Sequence, residues 1–157
     1  MSESPARPTG VDLTLVGRCY APTETYEVSA VKIAEMAAAL GATHPAHSDA
    51  AAARALGYPG VVAPPTFAVV VAQRAEQAYV ADPASGIDFS RVVHAEERIT
   101  HHRPIVAGDR LRAEVHVDSL TERAGITMVA TRTEIADDAG EPVATVRSTL
   151  AVRGEGR

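Results

Sequence analysis

Hydrophobic positions change their period partway along this chain. From Tyr26, the segment YEVSAVKIAEMAAALG begins with a short extended piece and then takes on helical spacing. Val31, Ala34, Ala38 and Leu40, with Ile33 and Met36, form the apolar face; Ser29 is the expected N-cap and Gly41 the stop. Alanine-rich residues 44–56 follow, where Pro45 and Asp49 favour a turn and then a short helix over 49–56. Gly57, Pro59 and Gly60 make a loop. The Pro64-Pro65 pair suits a helix start, because proline lacks only an N–H that would be unpaired there. Residues 66–80 then run apolar on nearly every side, which predicts a buried helix.

Beyond Pro83 the texture becomes extended. Strands are predicted over 89–100, 110–120, 126–135 and 142–152, with the clearest alternation in LRAEVHVDSL and ITMVATRTEI. Turns are expected at Ala107-Gly108-Asp109, Arg123-Ala124-Gly125 and Asp137-Asp138-Ala139-Gly140. Helices first and a strand meander afterwards argue for an α+β fold, with an antiparallel sheet wrapped around one buried helix. Residues 1–10, polar and rich in Pro and Ser, are expected to form a flexible leader ahead of one domain over 11–153.

Composition narrows the function mainly by exclusion. The chain has 157 residues, enough for one domain, and its 46% apolar content suits a packed core. No apolar run is long enough to span a bilayer, and the first residues lack signal-peptide character, so a cytoplasmic location and no membrane partner are expected. The net charge of −5 is spread along the sequence without a basic stripe, which argues against nucleic acid. Cys19 is the single cysteine and allows no intrachain disulfide, and no Cys and His cluster shows zinc spacing. His101 and His102 would point to opposite faces of a strand and His94 has no matching carboxylate pair, so neither a metal nor another cofactor is expected.

Residues 40–66, LGATHPAHSDAAAARALGYPGVVAPPT, carry the candidate chemistry. The frame Gly41, Ala42, Thr43, His44, Pro45, Ala46, His47, Ser48, Asp49 resembles the active-site motif Gly-Asp-x-Asn-Pro-hydrophobic-His-x-Asp of MaoC-like (R)-specific enoyl-thioester hydratases and 3-hydroxyacyl-thioester dehydratases. The motif histidine is kept as His47, while the catalytic aspartate is replaced by Ala42. The stretch GYPGVVAPPTF, the segment RVVHAEERITHHRPIVAGDRL and residues 140–152 extend the resemblance to small actinobacterial MaoC-like proteins, among them the HadA and HadC subunits of (3R)-hydroxyacyl-carrier-protein dehydratase. The resemblance implies a single hotdog fold and pairing with a HadB-like hotdog subunit that carries the catalytic Asp and His.

It also implies an acyl thioester of carrier protein or coenzyme A as substrate. Tyr58, Val62, Pro64, Thr66, Phe67 and Val70 would border the acyl channel. Catalytic relatives have His-Gly where this chain has Ala63-Pro64, and the glycine N–H helps to hold the oxyanion. His47 remains as a possible base, with Asp49 and His44 the nearest groups that could compensate for Ala42. Asp49 also reads as the N-cap of the short helix, and His44 as a loop anchor. Arg103 and Arg110 could meet a carrier phosphate or simply form a solvated face, and Asp109 reads as a turn residue. Three functions follow as expectations: a non-catalytic channel subunit of a heterodimeric dehydratase, a self-sufficient homodimeric hydratase using His47, or a non-enzymatic acyl-thioester binding module.

Overall fold

The computed structural model describes residues 10–154; most of the expected leader therefore lies outside the described residues. A turn at Leu13–Leu15 leads into β1 (Cys19–Tyr20), β2 (Tyr26–Glu27), α1 (Ala30–Leu40), α2 (Ala50–Ala55) and α3 (Ala68–Val80). Four long strands complete the chain: β3 (Val92–His101), β4 (Arg110–Arg123), β5 (Ile126–Asp137) and β6 (Pro142–Arg153). All pairings are antiparallel, in the order β1-β4-β5-β6-β3, with β2 on the same edge of β4 as β1. The sheet packs on α3 in the α+β hotdog arrangement.

The expected caps of α1 are present. Ser29 accepts from the Lys32 N–H at 3.1 Å, and Gly41 takes the left-handed conformation at φ 66°. Its apolar face is narrower than the sequence implies: Ile33 and Ala37 are buried, whereas Val31 and Leu40 stand in solvent. Ile33 and Ala37 form the contact line, and half-buried Met36 packs against the core beside them.

Helix α3 is also one-sided. Phe67, Ala68, Val71, Ala72, Ala75, Glu76 and Tyr79 recur at helical spacing and are buried, while Gln73, Arg74, Gln77 and Ala78 are exposed. Burial on every side, as the apolar run suggests, does not occur within one chain. Against this stripe β4 presents Leu111, Ala113, Val115 and Val117. A bulge between Val117 and Ser119 then shifts the phase by one residue, so that Leu120 turns inward.

The Ala124-Gly125 turn joins β4 to β5 with both residues at positive φ, 54° and 75°. This two-residue hairpin opposes Arg123 to Ile126 and fixes the register beyond it. As a result Thr127, Val129, Thr131, Thr133 and Ile135 face the core. The apolar Ile126, Met128 and Ala130 take the other face.

Candidate functional site

The motif loop starts from the end of α1. Gly41 N donates to Ala38 O at 3.2 Å and Ala42 N to Ala37 O at 2.8 Å, a Schellman pair that fixes the backbone of Ala42. His44 then caps a turn at Pro45–His47 by accepting the Ala46 N–H on Nδ1 at 3.2 Å. Asp49 caps α2, its Oδ1 accepting from Ala51 N at 2.8 Å and Ala52 N at 3.4 Å. His44 and Asp49 are thus both engaged with backbone donors.

His47 is half-buried, and its Nδ1 lies 2.6 Å from the Val62 carbonyl. A carbonyl can only accept, so Nδ1 carries a proton, and in the neutral imidazole the lone pair is on Nε2. That is the tautomer a general base requires. In return Val62 N donates to Ala46 O at 2.8 Å, so two bonds clamp the histidine turn to the loop before α3. Among the described residues no carboxylate hydrogen-bonds His47, and the motif position that would supply one is the methyl group of Ala42.

The loop before α3 is held from a second side. Ala63 N donates to Ile105 O at 2.8 Å and Ala107 N to Val61 O at 2.9 Å. His101 reaches from β3 and donates its Nε2–H to Pro65 O at 2.8 Å. In the sequence His101 stands out only as a metal candidate that strand geometry sets aside. Its role in bracing the helix start depends on a contact spanning 36 residues, which local patterning does not reveal.

The expected channel residues fall into different settings. Tyr58, Val62 and Val70 are half-buried, Thr66 is exposed and Pro64 is buried, all in the loop before α3 or in its first turns. Phe67 is 0% exposed and packs its ring 6.3 Å from that of Tyr26, as part of the core. Neither Pro64 nor Pro65 has an N–H to offer an oxyanion. A cleft of about 1160 Å³ lies at the other end of α3, beside Val80, Asp82, Pro83 and Phe89, and is lined by no motif residue.

The remaining sequence candidates are engaged elsewhere. Arg103 donates to Asp109 at 2.8 Å and to Asp137 at 3.4 Å, while Asp109 also accepts the Val106 N–H at 2.9 Å. Arg110 bridges Glu27 and Asp138. Both guanidiniums thus have carboxylate partners within the chain. His102 turns outward to Thr145, and His94 sits 3.6 Å from Glu97. An inner polar patch has no local signal in the sequence. Buried Glu76 of α3 accepts from Thr131 at 2.8 Å, and burial together with the Glu76 charge pushes the Glu97 carboxyl up.

Sheet, helix and histidine loop together define a MaoC-like hotdog domain. Residues 14–146 match the family described as FAS1-like, dehydratase domain region, and the chain belongs to that family. A UPF0336 protein of Saccharopolyspora erythraea is 51% identical over 144 residues, covering 92% of each chain. Among solved structures, the HadBC (3R-hydroxyacyl-ACP dehydratase) complex of Mycobacterium tuberculosis superposes with a TM-score of 0.80 at 31% identity, over 87% of this chain and 96% of that one. A structure described as a MaoC-like dehydratase gives a TM-score of 0.80 at 35% identity, over 90% of this chain and 43% of the other. No helix among the described residues is long and apolar enough to cross a membrane.

Proposed function

We propose that this chain is the non-catalytic, channel-forming subunit of a heterodimeric (R)-3-hydroxyacyl-thioester dehydratase or enoyl hydratase, working in fatty-acid or polyketide chain assembly. The observation that carries this reading is a motif histidine held in the working tautomer with alanine at the acid's position. Hydration adds the oxygen of water to C3 of an enoyl thioester and a proton to C2, while negative charge grows on the thioester oxygen. His47 Nε2 could take a proton from water. Ala42 can neither give nor take one, and Pro64 stands where the resemblance expects an oxyanion-binding glycine N–H. A HadB-like partner with a complete motif would supply the acid and the oxyanion donors.

Strand β3 supports the assembly part of this reading. It pairs along one side with β6 and forms the other edge of the sheet. Val93 on this strand and Phe89 just before it are each 66% exposed. A long edge with large apolar side chains is suited to strand addition by another hotdog chain. In that assembly Tyr58, Val62, Pro64, Thr66 and Val70 border the acyl chain, and Phe67 backs the wall from the core.

A second reading, a self-sufficient homodimeric hydratase, is favoured by one observation, the free Nε2 of His47. The two readings separate when crotonyl-coenzyme A hydration is followed with the protein alone and with a co-expressed HadB-like subunit. Turnover only in the pair is expected. Turnover by the lone chain, abolished by His47→Ala, would overturn the channel-subunit reading in favour of the second.

A further inference from the structure

Strand β1 is two residues long, yet it completes a cluster of three different metal-ligating groups. Cys19 lies directly opposite His116 in the β1–β4 pair, and Glu114 is two residues along β4 on the same outward face. Cys19 Sγ donates to Glu114 Oε1 at 3.0 Å, and His116 Nε2 lies 2.9 Å from the same oxygen. The three ligand atoms all lie within 4.8 Å of one another. We propose that Cys19, Glu114 and His116 form a zinc-binding site that pins the N-terminal segment to the sheet.

The geometry requires little rearrangement. Tetrahedral zinc at ordinary Zn–S, Zn–N and Zn–O bond lengths sets its ligand atoms roughly 3.4–3.6 Å apart. The two contacts to Glu114 need to open slightly and sulfur and imidazole to settle on one centre, all within side-chain motions on fixed strands. Ligand chemistry selects the metal class. One thiolate, one imidazole and one carboxylate suit zinc, whereas magnesium and calcium would find a single oxygen donor. Three protein ligands leave the fourth position for water or another donor.

Protons and charge are compatible with binding. The Glu114 hydrogen bond, with some burial, pushes the Cys19 thiol up, so a metal must displace that proton, and uptake releases acid. A thiolate and a carboxylate then balance a divalent cation. Arg132 lies close enough to act on Cys19, but Asp118 and Glu134 both pair with its guanidinium and offset its charge. The segment already has backbone ties to β4: Gly17 N donates to Val117 O at 2.8 Å and Val117 N to Arg18 O at 2.9 Å. Zinc would add a link between side chains to these backbone bonds, and binding only the folded state would raise stability.

The test uses the full chain, stripped with chelator and titrated with zinc or cobalt(II). The expected result is one metal per chain, a thiolate-to-cobalt charge-transfer band in the near ultraviolet and a higher Tm with zinc. All three should be lost in Cys19→Ser and in His116→Ala, with circular dichroism checking that each variant folds. In the unmutated protein zinc should also shield Cys19 from alkylation by iodoacetamide. Absence of stoichiometric binding at micromolar zinc, binding that persists in both folded variants, or a thiol that zinc leaves fully reactive would each overturn the proposal.

Discussion

His47 Nδ1 and the Val62 carbonyl, 2.6 Å apart, join the motif turn to the loop that starts α3. This single bond has two consequences. It sets the imidazole tautomer, and it closes a ring of contacts in which Val62 N also holds Ala46 O. A histidine with this bond can persist for structural reasons after its acid partner is gone.

Replacing His47 with alanine separates those roles. Leaving the Val62 carbonyl without its donor should lower stability by about 1–2 kcal/mol, measured by urea denaturation. In a complex with a catalytic partner, hydration of crotonyl-coenzyme A should fall by less than roughly tenfold. A loss of roughly a hundredfold or more is the size an acid–base group commands and would make His47 a working base.

The converse experiment restores what the motif lacks. Ala42 sits in the Schellman turn with its backbone bonded to Ala37, so an aspartate there starts from a backbone already held in place. Ala42→Asp combined with Pro64→Gly returns a carboxylate and an N–H. Lone-chain hydratase turnover should then rise by roughly a hundredfold over the unmutated protein, within the range acid–base catalysis supplies. No gain in a folded double variant would mean that this loop lacks the geometry of a catalytic site.

Much of this architecture is legible in the sequence where one local signal decides the outcome. Ser29, Gly41 and Asp49 act within four residues, and the structure has all three in the expected capping roles. Strands β4 and β5 follow period-two alternation, and all four long strands end within a few residues of their expected limits. Long-range outcomes were not legible. Thr131 and Thr133 face the core because the Ala124-Gly125 hairpin sets the β5 register, overriding the apolar positions on the opposite face. The His101 brace on Pro65 and the Cys19–Glu114 contact, 95 residues apart in sequence, exist only once the sheet has formed.

That same hairpin carries local strain. Ala124 is the only non-glycine residue at positive φ among the described residues, at 54°. A Cβ there carries a penalty of roughly 1 kcal/mol, which asparagine partly escapes. Ala124→Asn should therefore raise Tm by a few degrees in differential scanning calorimetry, with enzymatic readouts unchanged. An unchanged or lower Tm would show that the turn relaxes its strain elsewhere.

Strand β3 should govern assembly rather than folding. Val93 is 66% exposed, so Val93→Lys removes little burial within the chain. A charge on that edge opposes strand addition. The variant should keep its Tm while its complex with a HadB-like partner, or its self-association, weakens by at least about tenfold in sedimentation experiments. Unaltered assembly would place the interface elsewhere.

The partly buried carboxyl of Glu97 makes a pH prediction of definite sign. Burial, reinforced by the Glu76 charge, lifts it above its ordinary value of 4.5, so the folded protein holds that proton more tightly than the unfolded chain. Its contribution to stability is therefore greatest below 4.5 and falls as pH rises towards the folded value. Glu97→Gln cannot ionise and should be more stable than the unmutated protein at neutral pH, with the difference in Tm shrinking as pH is lowered below 4.5. Asp12, Asp82 and Asp137 are held below their ordinary values and lose stability on acidification, but they are present in both proteins and cancel in the comparison. A Tm difference that stays constant with pH would mean that Glu97 is solvated well enough to ionise freely, and that the inner polar patch does not strain the folded chain.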